Sequence, residues 1–70
     1  MVMRYLVRVH GHLSRDLVSA FPQMVPAEGP AETVLRGELP DQSALMGILH
    51  HLDEMGVAIA AVIELPDGEE

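Results

Sequence analysis

Apolar positions recur along this chain with two different periods. Between residues 40 and 56, PDQSALMGILHHLDEMG, the side chains Leu45, Ile48, Leu49, Leu52 and Met55 are spaced by three and four. That spacing puts them on one stripe about 100° wide and predicts an amphipathic helix. Asp41 is placed to cap its first turn, because a carboxylate accepts hydrogen bonds from backbone N–H groups that have no partner inside the helix. Gly56 is placed to close it, since a residue without Cβ enters the left-handed conformation without a clash.

Elsewhere the period is two. In residues 3–9, Met3, Tyr5, Val7 and Val9 alternate with Arg4, Leu6, Arg8 and His10, the pattern of a strand with one core face and one mixed face. Residues 32–39 set Thr33 and Leu35 against Val34, Arg36 and Glu38, and residues 57–65, VAIAAVIEL, are apolar on both faces until Glu64. Two weaker segments lie between. Ser14 is placed to cap a short helix over residues 15–21, with Leu13 and Val18 as a hydrophobic staple, Leu17, Val18 and Phe21 on its buried side and Pro22 as its stop. Residues 23–25 suit a brief strand, and Pro26, Gly29 and Pro30 predict a turn or irregular loop after it.

The order β-α-β-β-α-β with short connections predicts an α+β fold, a ferredoxin-like split βαβ sandwich. Its antiparallel sheet would have the order 4-1-3-2, with both helices on one face. Residues 1–65 would form this single domain, followed by an acidic mobile tail, residues 66–70. Leu45, Ile48, Leu49 and Leu52 would pack on Tyr5, Val7, Val9, Leu35, Ile59 and Ile63. The uncovered side would carry Arg4, Leu6, Arg8, His10, Val34, Arg36 and Glu38, joined by Ala58, Ala60 and Val62 from the last strand. An open face of that mixture marks a partner surface.

Composition narrows the chemistry. A domain of 70 residues buries only about 60% of the surface its unfolded chain exposes, which makes further burial by self-association expected. With 11 acidic residues, four arginines and no lysine the net charge is -7, which argues against nucleic acid and excludes lysine-based catalysis. Cysteine is absent, so disulfides and thiolate metal sites are excluded. Neither a signal-peptide core nor a run of membrane-spanning length occurs, so a cytoplasmic protein with no membrane partner is expected.

Candidate sites are few. Arg4, Arg8 and Arg36, with His10 nearby, share the expected open face and suit a carboxylate or phosphate ligand, as guanidinium forks do. The competing reading is cross-strand pairing with Glu38 or Glu64, worth only about 0.2–1 kcal/mol a pair. His10 and His12 would chelate a metal, with His50 or His51 completing the set, only if the strand ran through residue 12. Gly11 is expected to end it, and His50 and His51 diverge by about 100° on the helix, so no metal and no cofactor are expected. Asp53 and Glu54 diverge likewise and read as a solvated helix face.

RVHGHL near the start and TVLRGELPDQSALMGILHHLDEMGVAI further on resemble a group of small, uncharacterised actinobacterial proteins sharing G-H-L, TVLxG and DQxALxGxL segments. The resemblance covers most of the chain except residues 25–31 and implies a compact α+β domain without assigned catalytic residues. A looser likeness is to ACT-type ligand-binding domains, which share the element order and a glycine where Gly11 stands; the helix opening HLSRDL departs from that family's glycine-led one.

Two functional classes follow. One is a non-catalytic interaction module, a homodimer through the open face, with Leu6, Val34, Ala58, Ala60 and Val62 at the interface, or through an edge strand, and with room for another protein partner. The other is an ACT-like ligand-binding domain or small dimeric enzyme with a pocket at the dimer interface. The first is preferred, since so short a chain has little room for the apolar cavity of a few hundred Å³ that ligands need.

Overall fold

The computed structural model of the chain describes residues 2–66. In chain order the elements are β1 (Met3–His10), α1 (Arg15–Ser19), β2 (Met24–Glu28), β3 (Glu32–Leu39), α2 (Gln42–Glu54) and β4 (Ile59–Leu65). They form an α+β fold in which four antiparallel strands make one sheet in the order β2-β3-β1-β4. Taken from the other edge this is the expected 4-1-3-2.

One face of the sheet is covered. Val7 lies opposite Leu35 and Val9 opposite Thr33, and all four are buried. Leu13, Phe21, Leu45, Ile48 and Leu52, from the α1 region and α2, join Tyr5, Val7, Val9, Met24, Leu35 and Leu39 in one core cluster. Thr33 is the one polar member of this buried layer among the described residues, and its Oγ1 donates to the Gly11 carbonyl at 2.8 Å, so no polar atom is stranded there.

The long helix starts and stops where its capping residues stand. The Asp41 carboxylate accepts from the Ala44 N–H at 2.9 Å. At the other end the Val57 N–H donates to the Leu52 carbonyl and the Gly56 N–H to that of Asp53, both at 3.0 Å. With Gly56 at φ +80° this is a Schellman closure, which satisfies carbonyls that the helix itself leaves open. Leu45, Ile48 and Leu52 are buried, but Leu49 is only half-buried and Met55 is 60% exposed. Met55 is the C-cap residue, just after the last helical residue, and its N–H still donates to the His51 carbonyl at 3.1 Å.

Three other expectations need correction. The second strand spans Met24–Glu28, not residues 23–25, and takes Pro26 into the sheet opposite Leu35. That is compatible with its place at the edge, where a strand has one unpaired side and tolerates a missing donor. The turn is confined to residues 29–31, closed by the Gly29 N–H donating to the Glu32 carbonyl at 2.7 Å. The first helix is shorter than residues 15–21. Ser14 does cap it, but the Ala20 and Phe21 N–H groups donate three residues back, to Leu17 and Val18, and this tighter turn delivers Phe21 to the core.

The third correction concerns β4. Val9 pairs with Ile59 and Arg8 with Ala61, so Ala60 is an extra residue, a β-bulge. A bulge resets the alternation of faces. Beyond it Val62 lies opposite the buried Val7, on the helix side, and Ile63 opposite Leu6, on the open side. Ile63, expected in the core, is 45% exposed, and Val62 is 41% exposed. Apart from Pro66, the acidic tail expected at residues 66–70 lies outside the described residues.

Candidate open-face site

Directly paired residues of an antiparallel sheet project to the same side, so the register defines the open face row by row. One row crosses all four strands as Val25, Arg36, Leu6 and Ile63, and the next as Ala27, Val34, Arg8 and Ala61. Flanking them are Glu38, Arg4 and Leu65 on one side and Glu32 with His10 on the other. Arg4, Arg8, Arg36 and His10 are thus brought to one face together with Leu6 and Val34. Val62 is not, for the reason just given. Ala60 is the exposed bulge residue, and Ala58 precedes the strand, its carbonyl accepting from the His10 N–H at 2.9 Å. The face gains Val25, Ala27, Ala61, Ile63 and Leu65. Val25 ends the brief strand expected over residues 23–25, Ala27 sits where Pro26 suggested a loop, and the last three follow a bulge that a run of small apolar residues does not announce.

The three arginines differ in their partners. Arg4 Nη2 donates to Glu38 Oε2 at 3.1 Å, and Arg8 Nε lies 3.7 Å from Glu32 Oε1. The first is the cross-strand pairing with Glu38 weighed against a ligand clamp; Arg8 takes Glu32, a partner not among those expected, and Glu64 takes no part, because it lies opposite Tyr5 on the helix side. Arg36 is exposed and has no acidic partner among the described residues. It lines a hollow of about 190 Å³ with Val25, Ala27 and Val34.

The histidines are dispersed. Gly11, at φ +83°, turns the chain after His10. His12 Nδ1 lies 3.7 Å from Glu28 Oε1 and His50 Nε2 3.1 Å from Glu54 Oε2, one helical turn on. The His51 ring meets Phe21 edge-on with centroids 5.3 Å apart. Among the described residues no three His, Asp or Glu side chains are grouped to hold a metal.

A second hollow, about 450 Å³, lies on the helix side between α1 and the β2–β3 edge, lined by Leu13, Arg15, Val18, Pro26, Glu28 and Thr33. Its Thr33 hydroxyl is committed to Gly11 and its Glu28 stands beside His12. No helix among the described residues is long and apolar enough to cross a membrane.

A family model described as a domain of unknown function (DUF8691) matches residues 4–63, a span that includes the HGHL, TVLRG and DQSALMGIL segments. No curated protein and no solved structure matches the chain.

Proposed function

The chain belongs to that family, a domain of unknown function, and from this premise we propose that it is a non-catalytic interaction module, a ferredoxin-like split βαβ sandwich that self-associates through the free edge of β4. The observation that carries this reading is that Val62 and Ile63 point to opposite sides of one edge strand, yet each is more than 40% exposed. Stacking the open faces of two copies would cover Ile63 alone. Adding a strand alongside β4 covers both, and it also engages the unpaired backbone groups of the edge.

The two edges of the sheet differ in fitness for this. β2 contains Pro26, which cannot donate to a new strand. β4 has no proline and a single charge, Glu64. A two-fold axis normal to the sheet keeps the same face up in both copies. Centred on Val62, it sets Val62 against its own counterpart, Ile63 against the second copy's Ala61, and Glu64 against the second copy's Ala60, so no carboxylates meet. Face-to-face stacking would instead bring two arginine-bearing surfaces together, each holding an Arg36 without an acid, at the cost of burying uncompensated charge.

Sedimentation equilibrium at micromolar concentration is expected to show a dimer. Val62→Glu and Ile63→Glu should each shift it to monomer while the fold persists. A monomeric parent overturns the proposal; dissociation by Ile63→Glu alone would assign the interface to the open face instead.

A further inference from the structure

At the opposite side of the sheet from β4, we infer that the hollow between β2 and β3 is a binding site for a short aliphatic monocarboxylate, with Arg36 as its anion-binding residue. The hollow is a single cell of the sheet. Two cross-strand pairs, Val25 with Arg36 and Ala27 with Val34, form its four corners. Ala27 ends at Cβ, so its corner stays low between the taller valines and the arginine. Three of the four walls are aliphatic and the fourth is a guanidinium.

The charge arrangement selects the ligand. Each neighbouring arginine of the face already has a carboxylate, Arg4 that of Glu38 and Arg8 that of Glu32, whereas Arg36 has none among the described residues. A guanidinium presents two parallel N–H groups that match the two oxygens of a carboxylate. One uncommitted cation neutralises one negative charge, which favours a carboxylate over a phosphate dianion, and the aliphatic walls favour a hydrocarbon arm over a polar one. At about 190 Å³ the hollow is smaller than the roughly 300–1,000 Å³ that takes a drug-sized ligand, so the arm is short. The site lies across β3 and β1 from the proposed dimer edge, so it is present in monomer and dimer alike.

The test is a ¹H–¹⁵N NMR titration with 4-methylpentanoate, with acetate and 4-methylpentan-1-ol as probes lacking the arm and the charge respectively. Saturable shifts with 4-methylpentanoate are expected at the amides of Val25, Ala27, Val34 and Arg36 and at Arg36 Nε–H, with both other probes roughly tenfold weaker or worse. Arg36→Gln should weaken 4-methylpentanoate by roughly tenfold and Arg8→Gln should leave it unchanged. Ala27→Leu fills the low corner and should make 4-methylpentanoate bind no better than acetate, a readout that keeps Arg36 intact. Equal response of Arg4, Arg8 and Arg36, equal binding of acid and alcohol, or no saturable shift overturns the inference. The monomeric Ile63→Glu protein should bind as the parent does, so the site stands or falls separately from the dimer.

Discussion

Gly37 occupies a position that only glycine fills. It lies on the helix side of β3, between Tyr5 and Met24, and a Cβ there would run into the Gln23 carbonyl oxygen and the Met24 sulfur. The thioether can swing away, but the carbonyl belongs to the chain entering β2 and moves only with that strand. Gly37→Ala is therefore expected to destabilise by about 1–3 kcal/mol, the usual cost of overpacking, measured as a lowered urea midpoint at unchanged slope. Thr33 is a second such position. Thr33→Val keeps the shape and removes the bond to the Gly11 carbonyl, which should cost on the order of 1–3 kcal/mol if that acceptor stays dry. Alternation placed Thr33 on the core face, but Gly11 lies 22 residues away in sequence, and nothing local pairs the two.

The helix α2 and the strand β4 show opposite degrees of legibility. A helix repeats its geometry every turn, so spacing alone identified Leu45, Ile48 and Leu52, and the residue types alone identified Asp41 and Gly56 as its caps. Because Leu52 is fully buried, Leu52→Ala should cost about 2–5 kcal/mol, while Met55→Ala, at the exposed C-cap, should stay within about 0.5 kcal/mol. Equal thermal shifts for the two would refute this division. Asp41→Ala should cost about 0.5–2 kcal/mol through loss of the cap. In β4 the same style of reasoning put Val62 on the open face and Ile63 in the core, and the bulge at Ala60 exchanged them. Two adjacent alanines make the insertion sterically easy, and a strand apolar on both faces carries no polar residue to show where the alternation slips.

Across the molecule charge is divided by face. Three of the four arginines lie on the open side, with Glu32 and Glu38, whereas Asp16, Glu28, Asp41, Asp53, Glu54 and Glu64 lie on the helices, the loops or the helix side of the sheet. The open-side ion pairs are partly or largely solvated, so Glu38→Gln should alter stability by less than about 1 kcal/mol. Self-association has a larger signature. A dimer binds the native state only, so the melting temperature of the parent should rise with protein concentration and that of Ile63→Glu should not. A melting temperature independent of concentration in both would contradict the proposed edge pairing.

Period and residue type were enough for the element order, the antiparallel four-stranded sheet, the ends of α2 and most of the core, because each rests on interactions within a few residues or on one face of one element. The extent of β2, the slip in β4 and the uncommitted state of Arg36 depended on which strands lie side by side. Pro26 is tolerated because β2 is an edge, Val62 and Ile63 change sides because Arg8 faces Ala61, and Arg36 is left alone because Glu38 and Glu32 reach Arg4 and Arg8 first. Such pairings join residues tens of positions apart, and local sequence carries no record of them until the chain has closed its sheet.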